Sequence, residues 1–484
     1  MNTWIHVRLS AIYLALFAGT LSLCGQSKPN ILFVFLDDFG WKDTSYMGSD
    51  FYETPHIDRL ASEGMIFTDA YAAAANCAPS RACLLSGQYT PRHEIYNVGT
   101  KPRGDRRFRR LEHIGGTDVL DPEIVTWAEL AQRNGYRTGT IGKWHLSPDP
   151  LPYGFDVNIG GGHSGSPPKG YYPPHPGVPG LAEADDDEYL TDRLTDEAIG
   201  FIRQAESKPW LLYLTHFAVH TPLHAKRELE EKYQNKSAGV LHQHVAMATM
   251  IQAVDDGVGR IRAELERLGV LDETIILFFS DNGGYGPATD MEPLKGYKGT
   301  YYEGGIRVPF FVRWPGVVAP GSHSAEPVIG VDILPTLCGM MNVALPENQL
   351  VDGRDLGPLL RGETDSLGSR ALFWHFPAYL QAYAVTDEQR DPLFRSRPCS
   401  VIRERQWKLH HYYEDDTLEL YDLSTDIGEK FNLARVRPKL AKNLQTKLDQ
   451  WRVRVGAAQP RERNPFYNPG AEKAAIQRVL SRNR

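Results

Sequence analysis

The run Ile31-Leu32-Phe33-Val34-Phe35-Leu36 restricts this chain more than any other stretch, because a strand that is apolar at every position must be covered on both faces. It stops abruptly at Asp37-Asp38-Phe39-Gly40, and the same pattern returns three times. A helix expected over 122–134, capped by Asp121 and stopped by Gly135, precedes a strand at 137–141 that ends in Gly142-Lys143-Trp144-His145. A helix over 192–204, capped by Thr191, precedes a strand over 210–217 and then His220-Thr221-Pro222. Met247, Ile251, Val254, Val258, Ile261 and Leu265 recur four and three residues apart, the stripe of an amphipathic helix ended by Gly269. A strand over 274–279 follows and closes on Ser280-Asp281-Asn282-Gly283-Gly284.

Helices alternating with buried strands predict an α/β fold, a large, mostly parallel, doubly wound sheet flanked by helices. Such sheets bind ligands outside the carboxyl ends of their strands. Asp37, Asp38, His145, His220, Asp281 and Asn282 all fall at that edge. After Leu360 the texture changes and no further long buried strand is expected. Residues 407–413 and 418–423 alternate like hairpin strands, and 437–454 reads as a helix. The expected organisation is a leader at 1–27, a catalytic domain at 28–365 and a smaller C-terminal α+β subdomain with an antiparallel sheet at 366–484.

In the leader, Arg8 precedes an apolar run over 9–23 and then Cys24-Gly25-Gln26-Ser27. This is the form of a secretory signal peptide, too short for a comfortable membrane span, and it predicts export to the periplasm or the medium. Leu23 fits poorly before a lipidated cysteine, so anchoring through Cys24 is the lesser expectation. No later segment is long and apolar enough to span a membrane. A net charge of −7 gives no reason to expect nucleic acid as a partner. Removing the leader leaves Cys77, Cys83, Cys338 and Cys399, too few for a disulfide scaffold. At most one bridge among Cys83, Cys338 and Cys399 is expected, with Cys77 free.

Adjacent carboxylates at a strand end repel by roughly 4 kcal/mol at about 4 Å and an effective dielectric near 20. A divalent cation removes that penalty, and Asp37, Asp38, Asp281 and Asn282 offer only oxygens, the donor set of Ca2+ or Mg2+ rather than zinc. Cys77 is expected at a helix start, with Asn76 as cap and Pro79 in the first turn, where free N–H groups attract anions. Taken alone it reads more readily as a buried small hydrophobe at a helix start, and the remaining motifs decide against that. Arg81, Lys143 and Lys298 supply fixed positive charge, and His145 and His220 can shuttle protons near neutral pH. A sulfate or a phosphate ester satisfies this set electrostatically.

Cys77-Ala78-Pro79-Ser80-Arg81, with Leu84 and Gly87, resembles the signature of the formylglycine-dependent sulfatases of the alkaline phosphatase superfamily. The resemblance extends along the chain through Gly142-Lys143-Trp144-His145-Leu146, Ser280-Asp281-Asn282-Gly283-Gly284 and Lys298-Gly299-Thr300. It continues in Glu303-Gly304-Gly305-Ile306-Arg307-Val308-Pro309, Asp332-Ile333-Leu334-Pro335-Thr336, Asp352-Gly353-Arg354-Asp355-Leu356 and Glu419-Leu420-Tyr421-Asp422-Leu423. It implies that a maturation enzyme converts Cys77 to formylglycine (3-oxoalanine), whose hydrated aldehyde attacks sulfur and later expels sulfate by reforming the aldehyde. It also implies Ca2+ held by Asp37, Asp38, Asp281, Asn282 and the modified Cys77. Arg81 and Lys143 would orient the aldehyde hydrate, His145 would assist its collapse, and His220 and Lys298 would bind sulfate and protonate the leaving oxygen. Lys295 stands where many relatives carry arginine, while Lys298 keeps its spacing to Glu303-Gly304-Gly305.

The chain is most similar to bacterial exported sulfatases of sulfated polysaccharides. A sugar-binding rim is expected from the basic run 101–110, with six cations in ten residues, the aromatic loop 160–175, His224, and Trp374-His375-Phe376. His375 fits a substrate contact or a packed aromatic cluster equally. The rivals are a phosphate monoester or diester hydrolase of the same superfold, and a non-catalytic binder of sulfated glycans if Cys77 stays a thiol.

Overall fold

The computed structural model describes residues 28–181, 187–383 and 390–482, so the leader and Cys24 lie outside the described residues. The strand foreseen at 31–36 is β1, Asn30–Leu36, buried along its whole length. Its alternating side chains enter two different cores: Leu32, Val34 and Leu36 pack in one, and Ile31, Phe33 and Phe35 in the other. The remaining strands of the large sheet are β2 Met65–Phe67, β3 Arg137–Gly142, β4 Val157–Ile159, β5 Trp210–Thr215, β6 Thr274–Ser280, β7 Phe310–Arg313 and β8 Ser322–Ser324. They lie in the order β4-β3-β5-β1-β6-β7-β2-β8. Only β7 runs against its neighbours β6 and β2; the other pairings are parallel.

Helices cover both faces. On the Leu32 side lie α1 Pro55–Ser62, α4 Leu190–Arg203 and α5 Val245–Arg267; on the Phe33 side lie α2 Cys77–Ser86, α3 Trp127–Arg133 and α6 Ile333–Met341. Two helix starts differ from the sequence expectation. Helix α3 begins after Thr126, whose hydroxyl accepts from the Glu129 amide, while Asp121 closes a separate turn by accepting from the Glu123 amide. The Thr191 position lies inside α4 rather than at its cap. At α2, Asn76 occupies the flanking position, but its side chain donates to Asn97 instead of capping.

The C-terminal sheet is antiparallel and four-stranded, in the order β9 Ala371–Phe376, β10 Cys399–Glu404, β11 Trp407–Tyr412 and β12 Thr417–Asp422. Strands β11 and β12 match the expected hairpin. Strands β9 and β10, each as long as β3 and β5, are buried at five of six positions, contrary to the expectation that no further long buried strand follows Leu360. Helix α7, Pro438–Arg454, covers this sheet through Leu444, Leu448 and Trp451, in one cluster with Tyr71, Cys83 and Tyr301 of the larger part. All four cysteines of the described residues are free, so the single bridge allowed for by the sequence is not formed.

A buried ionic cluster ties the two parts. Lys408 of β11 reaches Glu303 at 2.9 Å and Glu429 at 3.1 Å, and all three side chains are fully shielded. Tyr71 also donates to Glu303, at 2.6 Å. Burial pushes the Glu429 carboxyl up to about 7. Lys408→Ala leaves these carboxylates without their shared ammonium and is expected to cost about 3–5 kcal/mol in denaturant unfolding; a loss below about 1 kcal/mol would contradict the ionic account.

Candidate functional site

Every strand of the central parallel group ends by delivering one or two polar residues to the same place. Asp37 and Asp38 follow β1, Lys143 and His145 follow β3, His220 follows β5, and Asp281 and Asn282 follow β6. The β5 segment leaves the sheet at Thr215, two residues before the sequence pattern stops, because the backbone of 218–219 pairs with Asp37 instead. The Asp37 amide donates to the Ala218 carbonyl at 3.3 Å, and the Val219 amide to the Asp37 carbonyl at 2.8 Å. This crossing carries His220 over the two aspartates. Asp38 and His145 both have left-handed backbone, φ 60° and 68°, a conformation that Asp and His tolerate better than most side chains. Gly142, at φ 106°, permits the approach of β5: a Cβ there would lie 2.0 Å from the Thr215 carbonyl oxygen.

Charges alternate through the site. Lys143 Nζ stands 2.6 Å from Asp37 Oδ2, and Lys298 Nζ is 2.7 Å from the Asp38 carboxylate. Arg81 donates through Nε and Nη2 to Asp281 Oδ2 at 3.1 and 2.9 Å, and through Nη1 to the Lys143 carbonyl at 3.0 Å. Its Cζ lies 4.9 Å from the Phe35 ring centroid. The Asp38 amide donates to Asp281 Oδ1, and Asn282 Nδ2 to Asp38 Oδ1. His220 Nδ1 faces the Thr221 carbonyl at 2.7 Å, which leaves Nε2 toward Asp38, 3.8 Å away.

Ligand atoms of Asp37, Asp38, Cys77 and His220 lie within 4.8 Å of one another. Asp37 Oδ1 and Asn282 Oδ1 are buried with no hydrogen-bond partner among the described residues. Two shielded oxygens without a donor, from two strand ends, fit a hard divalent cation.

Burial opposes ionisation of the Cys77 thiol, yet Lys143 and Lys298 draw it down to about 6. Burial and then Asp37 push Asp281 up to about 7. Asp38 is also penalised by burial, but Lys298 and His220 hold it well below the usual carboxylate range. Burial, Lys143 and Arg81 keep His145 neutral, far below the usual imidazole value. His220 is raised because Asp37 and Asp38 outweigh burial and Lys298. The pocket therefore holds one neutral and one readily protonated imidazole beside a carboxylate cluster.

The structure brings Asp37, Asp38, Cys77, Arg81, Lys143, His145, His220, Asp281, Asn282 and Lys298 together. It does not bring His375, which is 1% exposed and hydrogen-bonded to Ser400 Oγ at 2.8 Å and the Ala458 carbonyl at 2.9 Å. Burial pushes its imidazole down to about 3, so it is a packed histidine of β9. Trp374, also buried, donates to the Ala72 carbonyl. The later part of the basic run docks elsewhere: Arg107 pairs with Asp105, Arg106 stacks on Phe466, and Arg110 approaches Glu472. The aromatic loop does reach the site, but Tyr171 supports it from behind. Its buried hydroxyl donates to the carbonyls of Phe217 at 2.7 Å and His220 at 2.8 Å, a role with no local signal in the residues around it. His224 braces the same loop beneath the Tyr171 amide.

Residues 29–343 match the family model described as Sulfatase, and residues 297–454 match that of the N-sulphoglucosamine sulphohydrolase C-terminal region. A protein named sulfatase from Formosa agariphila is 32% identical over 511 aligned residues, covering 89% of this chain and 90% of that protein. The N-acetylgalactosamine-6-O-sulfatase of Bacteroides thetaiotaomicron is 28% identical, with 89% of this chain and 94% of that protein covered. Among solved structures, Ps i-CgsB in complex with k-i-k-neocarrahexaose superposes with a TM-score of 0.73 at 28% identity, covering 94% of this chain and 98% of that one.

Proposed function

The chain belongs to the sulfatase family and is a sulfuric ester hydrolase, and on that premise we propose that it acts on a sulfated carbohydrate through a formylglycine made from Cys77 beside a bound Ca2+. The observation that carries the reading is the convergence of Cys77, Asp37, Asp38 and His220 within 4.8 Å, ringed by Arg81, Lys143 and Lys298. Asp37, Asp38, Asp281, Asn282 and the modified Cys77 would hold the ion, which supplies positive charge to the nucleophile and to a sulfate oxygen when bound. The formylglycine supplies a hydroxyl nucleophile whose second hydroxyl allows sulfate to leave without attack by water.

The remaining steps belong to the chain's own side chains. Three carboxylates face three fixed cations, so a divalent ion together with the protonated imidazole of His220 would leave the pocket positive by three charges. A monoanionic sulfate ester and an ionised nucleophile would together offset two of them, and the third is lost when His220 gives up its proton. Arg81, fixed by Asp281, the Lys143 carbonyl and the Phe35 ring, locks the geometry around residue 77. Lys143 and Lys298 bind sulfate oxygens. His220, with Nδ1 engaged by the Thr221 carbonyl, gives its Nε2 proton to the leaving oxygen, together with Lys298. His145, kept neutral by burial and its cationic neighbours, takes a proton when sulfate departs.

We assign the chain to the periplasm or the medium, after removal of residues 1–27 and maturation of Cys77 by a formylglycine-generating enzyme. Among the described residues no helix is long and apolar enough to cross a membrane. The test has two parts. Mass spectrometry of the peptide spanning Cys77, from protein made in its native host, is expected to find the aldehyde form; only the thiol would sink the nucleophile assignment. A panel of sulfated oligosaccharides and matched phosphate esters is expected to show sulfate release at least about 100-fold faster in kcat/KM, and faster phosphate release would refute the reading.

A further inference from the structure

Arg395 lies beside the pocket as a buried cation. It is 7% exposed, yet no carboxylate among the described residues lies within ion-pair distance of it, whereas the equally buried Arg81, Arg307, Arg397 and Arg403 each pair with Asp or Glu. Its Nε donates to the Gln381 carbonyl at 2.9 Å and its Nη1 to the Lys298 carbonyl at 3.2 Å. Gly299, at φ 89°, makes room for it: a Cβ there would fall 2.9 Å from Nη1. The guanidinium is thus hooked to the backbone of the residue whose side chain reaches Asp38. Above it, its Cζ stands 3.5 Å from the centroid of the Tyr383 ring, and Tyr285 meets Tyr383 edge-on at 5.3 Å. Tyr383 is exposed and Tyr285 half-buried, so these rings form an open wall beside Lys298. Arg103, from the basic run, adds a second positive charge near Arg395 and donates to the Val98 carbonyl.

A desolvated guanidinium whose partners among the described residues are two carbonyls and the uncharged Tyr383 side chain is costly, and burial pulls it below the ordinary arginine range. An arriving anion relieves that cost, and the planar fork of donors suits a carboxylate or a sulfate. We infer that Arg395, assisted by Arg103, forms a second anion site next to the sulfate being cleaved, and that the substrate is a sugar carrying a further sulfate or carboxylate group with its ring against Tyr383 and Tyr285. This rests on the reading of the site as a sulfated-carbohydrate hydrolase and narrows it to doubly anionic units.

The experiment measures kcat/KM for sulfate release by the full chain from three matched oligosaccharides: one with a single sulfate, one with a second sulfate and one with a uronate carboxylate. The wild type is expected to favour at least one doubly anionic substrate over the single sulfate by tenfold or more, and the favoured one identifies the group. Arg395→Met is expected to bring that ratio close to one, with Arg395→Lys restoring part of it. A wild type without the preference overturns the inference before any variant is made. Equal loss on all three substrates in Arg395→Met, the mark of a structural role, overturns it as well. A wild type that releases no sulfate even from a simple aryl sulfate overturns the hydrolase reading, and this inference with it.

Discussion

Cys77→Ala is expected to lower kcat for sulfate release by a factor on the order of 10^4 to 10^6 while the protein stays folded. Position 77 opens α2, whose every residue is buried, and an alanine there keeps helix propensity and removes only the sulfur-bearing end. The other cysteines identify which effect is being read. Burial pushes Cys338 and Cys399 up to about 12 and Cys83 well above the usual thiol range, so none of them faces the positive field that draws Cys77 down. Cys399→Ala is therefore expected to change melting temperature more than kcat, and Cys77→Ala the reverse. Retention of more than about a tenth of wild-type kcat in Cys77→Ala would place the nucleophile elsewhere.

The contrast among cysteines also marks what the residues alone could reveal. The two-faced burial of β1 and β6 was legible because a continuous apolar run has only one stable setting, inside a sheet covered on both sides. The polar endings of β1, β3, β5 and β6 were legible for the same reason, since parallel strands place all those endings at one edge. His375 was not, because nothing local separates a histidine packed between Ser400 and Ala458 from one facing a sugar. Strand β9 escaped notice because its partners, from Cys399 onward, lie across a long insertion. Arg395 escaped notice because its significance is that no carboxylate among the described residues pairs with it, and only the fold shows which carboxylates are near. The false helix start at Asp121 has a similar origin: Asp121 and Thr126 both carry cap-forming side chains, and packing of Trp127 against Phe33, Phe155 and Tyr213 selects the later one.

Chelation followed by titration with Ca2+ is the second large effect, and it has a readout independent of turnover. The carboxylates of Asp37, Asp38 and Asp281 lie together beneath the surface, and Asp37 Oδ1 and Asn282 Oδ1 have no donor among the described residues. A hard cation satisfies both orphaned oxygens at once and offsets the mutual repulsion of the carboxylates. Binding confined to the folded state stabilises by RT ln(1 + [L]/Kd), about 2.7 kcal/mol at a hundredfold excess over Kd. Melting of chelated protein is therefore expected to rise by several degrees on adding Ca2+, together with recovery of sulfate release. Mg2+ is expected to do less, because it requires six short, near-octahedral contacts and gives up its water reluctantly. Asn282→Ala removes one orphaned oxygen without adding charge, so it is expected to weaken Ca2+ affinity by roughly 10- to 100-fold in the same melting titration. Asp37→Asn keeps the shape, removes a charge and frees Lys143, and is expected to abolish the Ca2+-dependent shift altogether. A melting temperature indifferent to Ca2+ in the wild type would remove the ion from the site, and leave Lys143 and Lys298 as the sole counter-charges to Asp37 and Asp38.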